Sequence, residues 1–345
     1  MSGSLALDRP KEVCKESSLE LSSFQSKPGL WSPKLLSVIV AVRPGGHEPR
    51  ALELLRRGTE GSLEVIVVEG QCPSRQRNVA ARIASGEILL FLDDDTECSR
   101  DLLDVYIKVF RENSMVVAIG GPTLYFGRNF KERVTARVLS GRMVTGRSAS
   151  RYASYGKRRT SDERELMLSN LAIRRRTFES SGGFEESLYP NEENLLLERI
   201  RARGGKILYE PSATANRPAP KVGWELIAKV FGYGRGRGSQ VRCHPSPIGL
   251  SRAGAALAAL LVPMLATAAL PWTGHPVWIV STLASSYYTM LAIRVSLRYG
   301  IHMGMVSSLA ALSVHVAYAA GVAFGLMRGL PLRSRDVRIT KCCAP

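Results

Sequence analysis

Residues 87–96 read Glu-Ile-Leu-Leu-Phe-Leu-Asp-Asp-Asp-Thr, so a short apolar run ends in three consecutive carboxylates, Asp93, Asp94 and Asp95. A run of this length predicts a fully buried strand of a parallel sheet, and such sheets bind ligands at the carboxyl ends of their strands. Side chains alternate in extended backbone, so Asp93 and Asp95 face one point while Asp94 faces away. Two hard oxygen ligands there suit Mg²⁺ or Mn²⁺, and with it a substrate diphosphate. The same residues also fit an acidic turn in which Asp95 or Thr96 caps a following helix. Both readings stand at this level.

Two further apolar runs, Leu35–Val42 and Leu63–Val68, precede Ile88–Leu92. Ala51–Arg57 and Ser74–Ser85 read as helices between them, the second opened by Pro73-Ser74 and closed by Gly86. Strand and helix in alternation predict a parallel α/β sheet. Downstream, Asn170–Arg174 reads as a short strand and Gly182–Glu186 as a turn. Asn191-Glu-Glu-Asn194 opens an amphipathic helix over Leu195–Ala202. Acids in a first helical turn are favoured by the helix dipole, and they are equally placed to act as a general base at a cleft. No P-loop occurs, and the glycines of Gly232–Gly238 follow no strand and fit no dinucleotide fingerprint.

The 47 Lys and Arg against 30 Asp and Glu leave a net charge of +17, and the excess is local. Between Arg128 and Phe178 there are 14 basic and 4 acidic residues, densest at Lys157–Arg159 and Arg174–Arg176. Nucleic acid, anionic headgroups, a phosphorylated substrate or a solvated loop would each account for such a cluster. With 7% aromatic residues and no nucleic-acid-binding motif, the first is disfavoured. The six cysteines form no Cys-x-x-Cys pair, which argues against a zinc site or disulfide framework.

Residues 1–33, rich in Ser, Lys and Glu, read as a disordered tail. Residues 253–272, 276–293 and 303–327 are uncharged and mainly apolar, which predicts about three membrane spans over 249–330, followed by a basic tail at 331–345. Arg235, Arg237, Arg242 and Arg252 before the first span place the preceding domain in the cytoplasm, in a multi-pass cell-membrane protein. Three crossings, however, would put Arg328, Arg333, Arg335, Arg338 and Lys341 outside, so one segment is expected to be re-entrant or interfacial.

Taken in order, Ser37–Val42, Val65–Glu69, Gln76-Arg-Asn78, Phe91–Asp95, Gly182–Glu185 and Asn191–Glu193 resemble the motif series of the family 2 glycosyltransferases. Asn191–Asn194 and Phe231–Arg237 before the spans are most similar to the succinoglycan or exopolysaccharide-synthesis type. The resemblance implies a GT-A domain over 34–248, with a Rossmann-like mixed sheet, followed by the helical membrane region. It also implies a nucleotide-diphospho-sugar donor, a lipid-linked or glycan acceptor and a divalent cation. By the same resemblance Glu193 is the catalytic base with Glu192 beside it. Glu69, Arg77, Asn78 and Asp93 bind donor, and Asp95 with Asp93 ligates the metal. Arg174, Tyr233, Arg235 and Arg237 lie near acceptor or membrane. Glu69 departs from the family's usual Asp, and no Gln-x-x-Arg-Trp follows, which favours a single transfer per acceptor. A non-catalytic scaffold of the same fold is the competing class.

Overall fold

In the computed structural model of the chain, residues 35–45, 49–51, 64–98, 100–268, 276–328 and 337–343 are described. The expected tail at 1–33 and helix Ala51–Arg57 lie outside them, apart from Ala51 itself. Strands β1 (Leu36–Val42), β2 (Glu64–Gly70) and β3 (Ile88–Asp93) form the parallel centre of a sheet, with β1 in the middle. Their Val, Ile and Leu side chains are buried on both faces, the condition under which a parallel sheet is stable. Helix α1 (Pro73–Ile83) connects β2 to β3.

Beyond β3 the sheet turns mixed. It continues through β8 (Asn170–Arg174), β5 (Val116–Gly120), β9 (Lys206–Tyr209) and β7 (Arg159–Thr160). A second, three-stranded sheet of β4 (Glu97–Cys98), β10 (Ala215–Pro218) and β6 (Thr123–Phe126) stands beside the end of β3.

The pleat of β3 divides the core in two. Leu90 and Leu92 join Val38, Val40 and Leu103 of helix α2 (Arg100–Glu112) on one face. Leu89 and Phe91 join Ala80 of α1, and Leu196 of a helix described below, on the other. Asp93 shares the parity of Leu89 and Phe91, so it leaves the sheet on the α1 side. There Phe91, Phe178 and Phe184 form a mutually edged or tilted trio with centroids 5.0–5.4 Å apart. Each such pair contributes about 0.5–1.5 kcal/mol beyond its buried area.

Helices α3 (Phe130–Ser140), α4 (Arg142–Thr145) and α5 (Arg175–Ser180) flank the sheets. Helix α6 (Glu192–Ala202) includes the expected amphipathic segment and starts three residues earlier, at the acids themselves. The glycine run lies inside helix α7 (Trp224–Cys243) and works as a packing surface. A Cβ at Gly234 or Gly238 would collide with the carbonyl oxygens of Tyr318 and Val322, and one at Gly321 or Gly325 with those of Phe231 and Arg235. Two small-x-x-x-small stripes therefore let α7 meet helix α10 (Ile301–Arg328) backbone to backbone. On another side of α7, Gly236 lies against the carbonyl of Pro190, next to the start of α6.

The helical region is made of three helices in succession. Helices α8 (Pro247–Ala268), α9 (Pro276–Tyr299) and α10 cover the three apolar stretches, but among the described residues only α10 is long and apolar enough to cross a membrane. Arg294 and Arg298 belong to α9, and the turn to α10 is made at Gly300, whose φ is +90°. His315 of α10 reaches the Val144 carbonyl at 2.9 Å, so α10 is docked on α4 as well. The basic tail contains a strand, β11 (Val337–Cys343), that pairs antiparallel with β2 at the sheet edge. The chain thus leaves the domain after α7 and returns to the same sheet.

Replacing Gly238 with Val should separate α7 from α10 and cost about 1–3 kcal/mol or more, as overpacking of a tight interface does. Gly232, where a Cβ meets nothing within 4 Å, is the matched control. Its replacement by Ala should be neutral or stabilising by up to about 1 kcal/mol. Thermal melts of the two variants check the contrast.

Candidate functional site

Helix α1 commits three consecutive side chains to three tasks. Gln76 donates to the carbonyls of Val42 and Val68 at 2.8 and 2.6 Å, tying the ends of β1 and β2 together. Arg77 points at the end of β3, donating to Asp93 Oδ1 at 2.8 Å and to Glu192 Oε1 at 3.1 Å. Asn78 donates to the Phe184 carbonyl at 2.8 Å and accepts from the Phe184 N–H at 2.9 Å. It locks the Gly182–Phe184 turn, whose glycines have φ of +84° and +65°. Asn78, expected to bind donor, is seen here fastening a turn.

The aspartates cap no helix, because β4 intervenes before α2 begins at Arg100. They form a turn in which the Thr96 N–H donates to the Asp93 carbonyl at 3.1 Å. Arg217 of β10 spans it, with Nη1 on Asp93 Oδ2 at 3.0 Å and Nη2 on Asp95 Oδ2 at 2.6 Å. Burial alone would raise Asp93, but the charges of Arg217 and Arg77 outweigh it and hold the carboxyl below its ordinary value. Asp94 is pushed up, first by burial and then by Asp95 and Asp93. Asp93 and Asp95 thus share one cation.

Glu192 and Glu193 open α6. Glu192 is 1% exposed and its carboxyl is pushed up to about 8, by burial first and then by Glu193, against the pull of Arg77. Glu193 faces Arg151, 3.9 Å away, and lies within the fields of Tyr152 and Arg77. Tyr152 meets Tyr125 edge-on at 5.1 Å, and Lys229 donates to the Tyr125 hydroxyl at 3.0 Å. Burial would raise Tyr125, yet the charges of Arg217 and Lys229 bring it below its ordinary value. Tyr233 completes this cluster within reach of Arg217 and Asp93. Its hydroxyl is raised well above the ordinary value by burial, then by Tyr125 and Tyr152.

Asp93, Asp95, Arg77, Glu192, Glu193 and Tyr233 are therefore brought together. Glu69 ends β2 at the same sheet edge, in register with Val42, and its carboxylate accepts from the Gly45 N–H at 3.3 Å. The other three residues expected near acceptor or membrane make their contacts outside this cluster, Arg235 and Arg237 on the helix that packs against α10. Arg174 pairs in register with Ile88, at the opposite end of β3, where it donates to the carbonyls of Val116 and Phe110 and stacks on the Phe110 ring. Arg237 is buried on Glu198 and Gln240, and the Arg235 backbone forms part of the α7–α10 contact.

Much of the basic segment is likewise satisfied within the protein. Arg147 and Arg159 pair with Glu165, Arg158 with Glu210, and Arg164 with Asp162. Arg217, Tyr125, Tyr152, Arg151 and Lys229 escaped the sequence reading. Arg217 sits in a four-residue strand, Ala-Asn-Arg-Pro, with no pattern to mark it.

The aspartate turn offers a divalent cation one open oxygen. Asp95 Oδ1 is buried with no hydrogen-bond partner, and the donors are hard oxygens. Among the described residues no group of three or more His, Cys, Asp or Glu surrounds a metal position, so substrate oxygens or water would have to complete the coordination.

Residues 49–181 match the glycosyl transferase family 2 model, a span from just before β2 through α5 that excludes Glu192, Glu193 and Arg217. A mannosyltransferase from Pyrobaculum calidifontis, solved in complex with GDP-Man and Mn²⁺, is similar in structure. It has a TM-score of 0.50 at 15% identity, with 86% of this chain and 90% of that chain covered. At that identity the likeness concerns the fold, a GT-A-like mixed α/β domain followed by a helical region. No curated protein matches the chain.

The sign of the Glu192 shift yields a prediction. Its folded value lies above the unfolded carboxylate value of about 4.3, so the stability it contributes is complete below that pH and is lost as pH rises through about 8. Glu192→Gln keeps an acceptor for Arg77 and never ionises. Melting temperatures measured across this range should fall less steeply with pH in the variant than in the parent protein.

Proposed function

We propose that this protein is a metal-dependent inverting glycosyltransferase that moves a sugar from a nucleoside diphosphate to an acceptor hydroxyl. The observation that carries the reading is the single guanidinium of Arg77, which joins the strand-end Asp93 to the acid-bearing start of α6. A donor-side acid and the candidate base then share one cleft. The family match over 49–181 and the GT-A-like fold support the reaction class.

Asp95, with Asp93, would hold Mg²⁺ or Mn²⁺, which when bound supplies positive charge to the leaving diphosphate, a contribution that can reach several kcal/mol. Glu193 takes the proton from the acceptor hydroxyl, whose oxygen forms the new glycosidic bond as the bond from the anomeric carbon to the diphosphate oxygen breaks. Glu192, held by Arg77, orients the first turn of α6 and with it Glu193. Arg151 and Tyr152 border Glu193, where a hydroxyl-bearing acceptor would enter. A scaffold without chemistry would not need Asp93, Asp95 and Glu193 brought to one place.

A lipid-linked or glycan acceptor of exopolysaccharide synthesis agrees with the apolar helices, whose exposed side chains include Leu283, Met290 and Leu297 on α9 and Ile301, Met305 and Leu309 on α10. On this reading the helical region lies in the cell membrane. The return of β11 to β2 supports an even number of crossings, with the carboxyl terminus on the cytoplasmic side beside the catalytic domain. Terminal reporter fusions check this: amino- and carboxyl-terminal reporters should report the same side.

The central experiment is a screen of nucleotide sugars with Mg²⁺ or Mn²⁺ and membrane lipid extract, reading release of nucleoside diphosphate. One donor should be consumed in a metal-dependent way. Glu193→Gln should keep donor binding and lower turnover by about 10²–10⁴, the usual contribution of a general base. Unchanged turnover would remove Glu193 from the role.

A further inference from the structure

Three of the four carboxylate oxygens of Asp93 and Asp95 are already taken. Arg77 holds Asp93 Oδ1 at 2.8 Å, and Arg217 holds Oδ2 of both residues at 3.0 and 2.6 Å. Only Asp95 Oδ1 is without a partner. Each of those three is held by a guanidinium, so a hydrated divalent cation arriving alone must compete with a fixed positive charge for it. It gains one free oxygen there and loses tightly held water. Arg217 cannot simply drift away. Its strand is paired with Glu97 and Cys98 of β4 on one side and with residues Thr123–Phe126 of β6 on the other. Its side chain is 11% exposed and its guanidinium lies 5.7 Å from the centre of the Tyr125 ring. Its backbone is fixed by both neighbouring strands, and only its side-chain torsions can redirect the guanidinium.

We propose that Arg217 is a tethered counter-ion that keeps free metal off the aspartate pair and yields Asp95 only when a diphosphate arrives. This rests on the glycosyl-transfer reading and adds an order of binding to it. The diphosphate supplies new acceptor oxygens for the Arg217 head, which turns from Asp95 Oδ2 to the phosphate. That movement leaves both oxygens of Asp95 open, at the moment when phosphate oxygens are present to complete a metal's coordination. A guanidinium suits the exchange because carboxylate and phosphate present it with the same paired-oxygen geometry. Metal binding thereby becomes conditional on donor. Arg217 is a positioning residue here, acting through Asp95. Its buried Nε, which has no partner, is a further donor for the incoming phosphate.

The test measures Mn²⁺ affinity of the full-length protein by electron paramagnetic resonance, alone and with GDP or UDP. In the parent protein Mn²⁺ should bind weakly alone and at least about tenfold more tightly with the nucleotide that fits. Arg217→Gln should bind Mn²⁺ alone about tenfold more tightly than the parent, with the nucleotide enhancement reduced. A merely structural arginine would not produce this gain. Arg217→Lys, which keeps a charge but cannot span both carboxylates, should fall between the two and guards against loss of folding. Adding Asp95→Asn to Arg217→Gln should abolish the gain. Equal Mn²⁺ affinity in the parent and Arg217→Gln, or a gain that survives Asp95→Asn, overturns the proposal. If that happens while nucleotide still binds and sugar is still transferred, only the role of Arg217 falls. Absence of Mn²⁺ and nucleotide binding in every variant overturns the proposal together with the reaction class.

Discussion

The site is organised around one shared cation. Arg77 is 3% exposed and bonded to carboxylates from two distant parts of the chain, Asp93 at the end of β3 and Glu192 at the start of α6. A guanidinium this deeply buried is tolerated only while paired, and removing one partner of such a pair typically costs about 3–5 kcal/mol. The sheet edge and the acid-bearing helix are therefore held in one relative position. Gln76 and Asn78, on either side of Arg77, tie the same helix to the ends of β1 and β2 and to the Gly182–Phe184 turn. One turn of α1 thus connects the ends of β1, β2 and β3 with the start of α6 and the glycine turn.

A second layer of constraint comes from residues with no side chain. Gly236 admits the Pro190 carbonyl next to the start of α6, while Gly234 and Gly238 admit the backbone of α10. Helix α7 is a wedge between the acids that open α6 and the apolar helices, and its thinness lets both approach. Asn191, at a φ of 99°, is fixed from α7 by Gln240 at 2.9 Å, so the entry to α6 depends on this contact too. The position of Glu193 thereby depends on the packing of helices far from the chemistry.

Legibility in the sequence followed the range of the interaction. The three central strands, the turn at Gly182–Phe184, the strand at Asn170–Arg174 and the acids opening α6 were readable because each is written in a local pattern of apolar run, paired glycines or polar cap. Arg174 and Arg237, expected near acceptor or membrane, bond to carbonyls of α2 and β5 and to Glu198, partners that no local pattern names. Arg217 carried no local signal, because a lone arginine in a short strand gains its meaning only from what the neighbouring sheet sets opposite it. Strand β11 was hidden for a similar reason, since an edge strand in a basic tail is specified by the strand it joins.

The sequence by itself determined that a buried parallel strand carries Asp93 to the carboxyl edge of the sheet and that a second pair of acids starts a helix, because pleat and helix periodicity are properties of a few consecutive residues. It also marked the apolar stretches of the carboxyl-terminal third. Only the tertiary structure decided that the aspartates face a guanidinium from β10, that Asn78 fastens a turn, and that the chain returns after α10 to the edge of its own sheet. Those outcomes depend on which charges and backbones meet once the core has formed, a matter of pairing across more than a hundred residues that no local pattern encodes.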